Sequence, residues 1–321
     1  KSPKDFDLTT DAKPDEVLDI AKQGKFKSVE VGKQFGVVVV GGHEIATFRK
    51  DIGKGRRPDA VDFTDIKGDV KRRDLTINAL FYDIGKGQIV DLVGGIADLK
   101  KKKIRTVGKA EDRFDEDPLR RLRAVRFAGS IHGRMTKDTW SALKQNSDIS
   151  GVSAERIRDE FIKGVTKAKN VPNYFKMLYT LGMFKQIFPG LSVSPSHYKT
   201  KNYKLQIANM LSINGATKVK SKLKSLSYTN QEVNDIWFLI VLNLPTWPID
   251  NLPTIKSLQK NVKLSSSDIK EWTKMNNNKN IFKLWNWKLS VSPKDAIAQG
   301  LKGKDIGDYI KDKEYELFTS S

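Results

Sequence analysis

The sequence predicts an α+β fold, with a small β-sheet head at the N-terminus followed by an elongated, all-helical neck, body and tail. Three observations support this prediction. A length of 321 residues exceeds that of an ordinary single domain. Segments with the alternating or β-branched composition of strands occur within residues 36–49 and 80–92. From Ala110 onward, apolar residues recur at spacings of three and four, as on the buried face of a helix.

Turn and strand signals place the first elements of the head. A helix is predicted over Pro14–Gln23, because proline suits the first helical turn. Two strands are predicted at 36–40 and 44–49, joined by a Gly41-Gly42 turn. Residues 49–64 are polar and contain Gly and Pro, so we predict a mobile loop there.

Two further strands complete the head, and helices follow. The strands are predicted at 80–83 and 88–92, and the clearest helices at 118–127, 154–165 and 173–181. We divide the chain into a head at 1–107, a neck at 108–165, a body at 166–270 and a tail at 271–321.

Composition limits the class of partner. A net charge of +20 and a pI near 9.8 predict a polyanionic partner, nucleic acid before an anionic membrane, although a solvated lysine-rich surface is the alternative. The absence of cysteine excludes a disulfide scaffold and cysteine-ligated zinc, and a total of three histidines argues against a histidine-rich metal centre. The longest apolar run, 236–242, is too short for a membrane span, so we expect no membrane partner. The absence of cysteines fits the expectation of a cytoplasmic protein.

Paired aspartates open the chain. Asp5 and Asp7 are two apart, so on a strand their carboxylates face the same side. A divalent cation such as Mg²⁺ would relieve their repulsion, and Glu44, at the start of another strand, could supply a third carboxylate. The alternative is a solvated surface loop.

A second polar cluster lies within Lys71–Leu80. Arg72 and Arg73 are suited to holding a triphosphate, and Asp74 and Asn78 to bonding ribose hydroxyls. The alternative is a salt-bridged helix start.

The third cluster, 115–128, has the sequence of a capped basic helix. Asp117 stands at the cap position and Pro118 at the first helical position. Arginines at every third residue share one broad face, where a bound polyphosphate would relieve their repulsion. These arginines are Arg120, Arg123 and Arg126, and the neighbouring apolar stripe is Leu119, Leu122 and Val125.

Taken in order, these clusters resemble the class II tRNA nucleotidyltransferases, the family of CCA-adding enzymes and bacterial poly(A) polymerases. The likeness covers residues 1–165 and is faint beyond them, apart from 303–307. The matching pieces are Asp5-Phe6-Asp7-Leu8-Thr9-Thr10-Asp11-Ala12, Arg72–Ala79, Glu116–Phe127 and Glu155-Arg156-Ile157-Arg158-Asp159-Glu160-Phe161.

The resemblance implies template-independent addition of CCA to the 3′ end of tRNA from CTP and ATP, by two-metal nucleotidyl transfer with release of pyrophosphate. It implies that Asp5 and Asp7 bind two Mg²⁺ ions beside a catalytic Glu44. The nucleotide-binding residues implied are Arg72, Arg73, Asp74, Asn78, Asp117, Arg120, Arg123 and Arg126, with Asp117 and Arg120 reading the base.

Hydrogen-bond chemistry gives that last pair a physical rationale. Cytosine offers an amino donor beside the N3 acceptor, and adenine offers one beside N1, so both satisfy a carboxylate and a guanidinium. Guanine and uracil present the reverse order. A bidentate contact of this kind discriminates by roughly 1–3 kcal/mol.

The helical half is expected to hold the acceptor arm of tRNA, because residues 197–288 contain 15 lysines and five acidic residues. Family members carry a Gly-Gly-x-Val-Arg-Asp segment just upstream of the paired aspartates. This chain starts at Lys1, so we expect it to be a truncated form. Its 49–58 loop is also slightly short for the family.

Several alternatives to CCA addition stay open. They are a poly(A) polymerase, a CC-only enzyme, a catalytically impaired tRNA-binding relic if Lys1 is the true start, and a lysine-rich protein of anionic surfaces. The segment Val31–Val38 favours the CCA branch over the poly(A) branch.

Overall fold

A computed structural model describes residues 6–53, 60–194, 200–245 and 247–321 of the chain. The chain forms two compact units, residues 1–152 and residues 153–321. Within the described ranges, no helix has both the length and the apolar character needed to cross a membrane. The division into head, neck, body and tail is finer than these two units and stays a prediction.

The first unit combines short strands with helices, in agreement with the α+β prediction. Its described strands are Leu8–Thr10 (β1), Ser28–Val29 (β2), Val37–Val40 (β3), His43–Thr47 (β4), Arg49–Ile52 (β5), Ala60–Phe63 (β6), Leu80–Asp83 (β7), Gln88–Asp91 (β8), Lys103–Ile104 (β9) and Arg134–Met135 (β10). Its helices are Pro14–Gln23 (α1), Ile66–Arg72 (α2), Gly95–Lys100 (α3), Ala110–Glu116 (α4), Leu119–Ile131 (α5) and Lys137–Gln145 (α6).

A four-stranded sheet with the order β1-β4-β3-β2 contains the start of the chain. β1 runs parallel to β4 and pairs Leu8 with Ile45, whereas β3 is antiparallel to both of its neighbours. The predicted helix α1 and the predicted turn are confirmed. Gly41 and Gly42 have φ values of 59° and 87°, a region that favours glycine, which is why this residue pair can join β3 to β4.

The prediction of a mobile loop over 49–64 is wrong for the described part of that segment. β5 and β6 form an antiparallel hairpin that pairs Arg49 with Phe63 and Ile52 with Ala60. Most of these side chains are exposed, so neither face of the hairpin packs on a core. Without a buried face, apolar and polar residues do not alternate along the strands, and that alternation is the pattern by which a strand is recognised in a sequence. Residues 54–59 lie outside the described ranges.

Helix α5 is the central element of the rest of the first unit. Its predicted apolar stripe is confirmed, because Leu122 and Val125 are completely buried. Arg121, on the same helix, is buried by the fold: it donates to Asp115 Oδ1 at 2.6 Å and to the backbone oxygens of Asn146 and Asp148 at 3.1 and 3.2 Å. These contacts hold α5 in one position, which matters because its N-terminus carries the predicted base reader.

Every secondary-structure element in the described part of the second unit is a helix. Its core contains the fully buried side chains of Phe161, Tyr174, Phe238 and Trp272. The helices are Ala154–Lys167 (α7), Val171–Thr180 (α8), Met183–Ile187 (α9), Tyr203–Leu211 (α10), Ala216–Ser225 (α11), Asn230–Leu242 (α12), Trp247–Asp250 (α13), Leu252–Gln259 (α14), Ser266–Asn276 (α15), Asn280–Asn286 (α16), Pro293–Ala298 (α17) and Lys304–Ser320 (α18).

Candidate functional site

One end of the β1–β4 pair carries two carboxylates. The pairing of Leu8 with Ile45, continued by one residue, sets Asp7 beside Glu44. Aligned residues on neighbouring strands point to the same face of a sheet, and both of these side chains are exposed. Asp5, the other predicted metal ligand, lies outside the described residues.

The donor set at this strand end fits a magnesium ion. Magnesium prefers oxygen ligands, keeps several waters, and is usually bound through one or two carboxylates together with substrate phosphates. Asp7 and Glu44 provide two such carboxylates. Across the described ranges, no cluster of three or more His, Asp or Glu side chains could enclose a metal ion without help from substrate.

A buried aspartate, missed by sequence analysis, positions the predicted phosphate-binding arginines. Asp69 is 1% exposed and accepts from Arg72 Nη2 at 2.7 Å and from Arg73 Nε at 3.1 Å. It also accepts from the Arg49 backbone N–H at 3.4 Å, which ties the arginines to β5. Helical spacing makes Asp69 a neighbour of both arginines, but spacing alone does not show that Asp69 is the buried partner that holds them.

Asp74 connects this cluster to α5. Its Oδ1 accepts from the Leu75 N–H at 2.8 Å and from Asn78 Nδ2 at 3.2 Å, and its Oδ2 accepts from Arg123 Nε at 2.7 Å. Burial alone would raise the pKa of Asp74, but the charge and hydrogen bond of Arg123, with the bonds from Asn78 and Leu75, outweigh it and lower that pKa. Asp74 is therefore held as a carboxylate.

The start of α5 matches its prediction. Asp117 has an extended conformation with φ of −147°, and its Oδ1 accepts from the Leu119 N–H at 3.2 Å, so it caps the helix. Pro118 already has helical angles, with φ of −55° and ψ of −25°. Asp117 is also largely buried, with 9% of its surface exposed.

Arg120 is held by three bonds that leave part of its guanidinium available. Nη1 donates to Glu116 Oε2 at 2.5 Å and to the Arg113 backbone oxygen at 3.2 Å, and Nη2 donates to the Arg72 backbone oxygen at 2.8 Å. A guanidinium has five N–H donors. Within the described residues, the Nε–H and one Nη2–H of Arg120 have no acceptor.

A cavity of about 200 Å³ opens beside Arg120. Burial lowers the pKa of Arg113 despite the opposing charge of Glu116, and, among described atoms, Arg113 Nε is buried without a hydrogen-bond partner. Five basic and two acidic side chains line the cavity, so its wall is electropositive. Its lining residues are Lys50, Asp51, Gly53, Gly68, Lys71, Arg72, Arg113, Glu116 and Arg120.

The predicted site residues fall into a network and a separate pair. Hydrogen bonds connect the second and third sequence clusters through Arg120 and Arg123. Arg126 lies further along α5, is 6% exposed, and stacks its guanidinium 3.8 Å from the ring centroid of Phe127. Among the described residues, no hydrogen bond or ion pair joins Asp7 or Glu44 to this network.

Two family models match the chain. The "poly A polymerase head domain" matches residues 1–105, and the "probable RNA and SrmB-binding site of polymerase A" matches residues 134–194. Together they cover just over half of the sequence.

Proteins called CCA-adding enzyme are similar in sequence. That of Lactobacillus delbrueckii subsp. bulgaricus is 42% identical over 196 residues, which cover 59% of this chain and 48% of the relative. That of Lactobacillus johnsonii is 35% identical over 266 residues, 80% of this chain and 59% of the relative. The chain thus spans about half the length of the curated relatives it matches.

Solved structures share the fold. The CCA-adding enzyme of Bacillus stearothermophilus in complex with CTP has a TM-score of 0.68 at 23% identity, over 100% of this chain and 85% of that one. The Thermotoga maritima CCA-adding enzyme complexed with tRNA has a TM-score of 0.63 at 21% identity, and the match covers 100% of this chain and 84% of that one. From the two family models and the sequence relatives, this chain belongs to the family of class II tRNA nucleotidyltransferases and poly(A) polymerases, and within it is most similar to CCA-adding enzymes.

Proposed function

We propose that the protein adds CCA, one nucleotide at a time and without a template, to the 3′ end of tRNA from CTP and ATP. The observation that carries this proposal is the hydrogen-bonded connection between the arginine cluster and the start of α5. Arg120 bonds the Arg72 backbone at 2.8 Å and Arg123 bonds Asp74 at 2.7 Å. A site built in this way can hold a nucleotide's phosphates and read its base at the same time.

Asp117 and Arg120 are proposed to choose the base. The Asp117 carboxylate accepts from the amino group of cytosine or adenine, and an N–H of Arg120 donates to the adjacent ring nitrogen. The donors of Arg120 without an acceptor within the described residues support this role. Guanine and uracil would place a carbonyl against the carboxylate, at a cost of roughly 1–3 kcal/mol.

The neighbouring residues are proposed to hold the rest of the nucleotide. Arg72 and Arg73 would contact the triphosphate with Arg123 and Arg126, because guanidinium groups bind phosphate oxygens through paired hydrogen bonds. Asp74 and Asn78 would bond the ribose hydroxyls. Since Asp74 stays ionised, it accepts from the sugar rather than donating to it.

In the reaction, the tRNA 3′-hydroxyl gives up its proton to water and its oxygen bonds to the α-phosphorus. The bond from the α-phosphorus to the oxygen that bridges to the β-phosphate breaks, and pyrophosphate leaves. Asp7 and Glu44, with Asp5 outside the described residues, would hold the magnesium ions. Bound magnesium would lower the pKa of the 3′-hydroxyl and offset charge on the phosphates. The chain's own contribution is to place the two reactants in line and keep the arginines pointing at the triphosphate.

The names of the sequence relatives favour CCA addition over poly(A) synthesis, because the curated relatives described above are CCA-adding enzymes. The proposal includes tRNA as partner and, since tRNA is used in translation, a cytoplasmic location.

Incorporation assays test the proposal. The full-length protein is incubated with magnesium and tRNA lacking its last three nucleotides, and with CTP, ATP or both. We expect two additions with CTP alone, three with both nucleotides, and then a stop. Addition of A without limit would identify a poly(A) polymerase, and a stop after two a CC-only enzyme.

Metal dependence is tested by substitution. Asp7→Ala should lower incorporation by at least about 10³-fold, because loss of a metal ligand removes several kcal/mol of charge stabilisation. Asp19→Ala, an exposed aspartate of α1, is the matched control and should have no effect. Binding of tRNA without any incorporation by the unsubstituted protein would refute the proposed activity.

A further inference from the structure

Helix α11 carries four lysines, Lys218, Lys220, Lys222 and Lys224, and no acidic residue. In the part of the chain that the structure describes, none of these ammonium groups forms an ion pair with a carboxylate. Lys204 on α10, by comparison, is neutralised by Asp235 at 2.6 Å. Helix α11 therefore concentrates a positive charge that no carboxylate of the described residues balances.

The buried side of α11 shows how the lysines are arranged. Val219 and Leu223 are completely buried and fix the face that packs on the core. Successive residues are rotated by roughly 100° along a helix of 3.6 residues per turn. The lysines therefore form two rows on opposite flanks of the helix, Lys218 with Lys222 and Lys220 with Lys224.

Between the two lysine rows lies a ridge of small hydroxyl side chains. Thr217, Ser221 and Ser225 are four residues apart, share one helix face and are exposed. The Ser225 hydroxyl donates to the Lys222 backbone oxygen at 2.8 Å and so keeps its lone pairs available. The exposed face of α11 therefore has short polar side chains along its middle and positively charged side chains on both sides.

Contacts hold this surface in place and connect it to the segment that matches the RNA-binding family model, 134–194. The Lys220 ammonium lies 4.6 Å from the centroid of the Trp237 ring. Asn214, just before α11, accepts from the Ser192 N–H at 2.9 Å and donates to the Ser192 oxygen at 2.7 Å. Lys218 lies beside Gly190, where an added Cβ would be 3.8 Å from its Nζ.

We propose that α11 binds the double-stranded stem of an RNA, with its hydroxyl ridge against the 2′-hydroxyls of the minor groove and its two lysine rows on the phosphates of the two strands. The minor groove of A-form RNA is wide and shallow and displays 2′-hydroxyls. A helix with its side chains is about 10–12 Å across, so lysines on opposite flanks reach separate lines of phosphates. The inference rests on the proposed function only in taking tRNA as the natural source of the stem.

The same features argue against other polyanions. A helix that lies on a membrane inserts an exposed apolar face, whereas the apolar side of α11 is buried in the core. The minor groove of B-DNA, about 6 Å wide, is too narrow for a helix and has no 2′-hydroxyls. Single strands offer one line of phosphates, which would use one lysine row.

The experiment compares two sets of substitutions of equal charge. One set replaces the four α11 lysines (Lys218→Gln, Lys220→Gln, Lys222→Gln and Lys224→Gln). The control set replaces the exposed run in the first unit (Lys100→Gln, Lys101→Gln, Lys102→Gln and Lys103→Gln). Glutamine and lysine have similar helix propensities, which protects the fold of the α11 variant. The control lysines are exposed at the end of α3 and the start of β9, so both variants should keep the unfolding temperature of the unsubstituted protein.

Binding of a fluorescent RNA hairpin with a stem of about 16 base pairs is measured without nucleotides, in roughly 50 to 200 mM KCl. We expect the slope of log K against log salt to fall by about one per α11 lysine removed, and to be unchanged in the control. Over this salt range, the unsubstituted protein should lose on the order of 100-fold more affinity than the α11 variant. Ser221→Leu, which keeps every lysine but fills the ridge, should weaken duplex RNA binding at least about tenfold.

Equal slopes for the two sets would overturn the inference. So would equal affinity for duplex RNA, duplex DNA and single-stranded RNA of one length, or loss of binding only to phosphatidylserine vesicles. Failure here is separable from failure of the proposed function. If the α11 variant extends tRNA with unchanged KM, α11 is not the RNA surface and the enzyme stands. If RNA binding depends on α11 but no nucleotide is incorporated, α11 is an RNA-binding surface and the proposed enzymatic activity is wrong.

Discussion

The bond between Asp74 and Arg123 should stabilise the candidate site by an amount that can be measured. The 2.7 Å contact joins a carboxylate that is 8% exposed to a guanidinium whose side chain is 32% exposed. A hydrogen bond to a charged group contributes about 1.5–3 kcal/mol, and the partial exposure of Arg123 favours the lower end. We therefore expect Asp74→Asn to lower the local stability of α5 by about 2 kcal/mol, or roughly 30-fold in the opening equilibrium.

The assay must report on the first unit. All tryptophans except Trp140 lie in the second unit, so intrinsic fluorescence would follow the wrong part of the chain. Hydrogen exchange of the α5 amides, measured by mass spectrometry, reports local opening directly. A double-mutant cycle with Asp74→Asn, Arg123→Gln and the double variant isolates the free energy of interaction between the two side chains. A coupling below about 0.5 kcal/mol would refute the assignment of this bond as the connection between the two clusters.

The pH dependence gives an independent check on the same bond. Arg123 and the other donors lower the folded-state pKa of Asp74, although burial opposes them. Stabilisation from a carboxylate with a lowered pKa is complete above its unfolded pKa and is lost as the pH falls through the folded one. The difference in exchange between the unsubstituted protein and Asp74→Asn should therefore persist at neutral pH and shrink below the ordinary aspartate pKa of about 3.9.

Two further predictions concern positions near the same cluster. Arg120→Lys keeps the charge but loses the planar fork, so we expect discrimination of CTP against UTP, measured as a ratio of kcat/KM, to fall by about 10- to 100-fold. The exposed Arg134→Lys is the control, and an unchanged ratio in Arg120→Lys would exclude Arg120 as base reader. Gly95→Ala should lower the unfolding temperature strongly, because its Cβ would lie 2.2 Å from the Thr76 backbone oxygen. Gly307→Ala, where the added carbon meets nothing within 4 Å, should be neutral or slightly stabilising, and equal melting of both variants would contradict the packing at Gly95.

Local signals in the sequence were sufficient for the elements with a strong period or cap. The helix Pro14–Gln23, the two-glycine turn, the β7–β8 hairpin and the buried stripe of α5 all agree with prediction. In each case, residues close together in the sequence determine the element. The hairpin of β5 and β6 could not be predicted in the same way, because its side chains are largely exposed and alternate with no apolar face.

The supporting carboxylates of the site were beyond sequence analysis for a different reason. Asp69 and Glu116 are ordinary acidic residues in helical segments, and helical spacing makes each a neighbour of several basic side chains. Only the fold shows that Asp69 is buried beneath two arginines and that Glu116 bonds Arg120 at 2.5 Å. The choice among partners is made by tertiary packing, which spacing does not encode.

For the proposed activity, these carboxylates offer a way for a site without a template to select a base. Discrimination by hydrogen-bond order requires that Arg120 present its donors in one direction, since a mobile guanidinium could turn to suit any base. Glu116 and the backbone oxygens of Arg113 and Arg72 take up three of its donors and so restrict that rotation. Because one of the three is the Arg72 backbone, the proposed base reader is positioned relative to the proposed phosphate-binding arginines. If Arg120 reads the base as proposed, base choice and triphosphate position are coupled, and a wrong base that displaces Arg120 would also disturb the phosphate site.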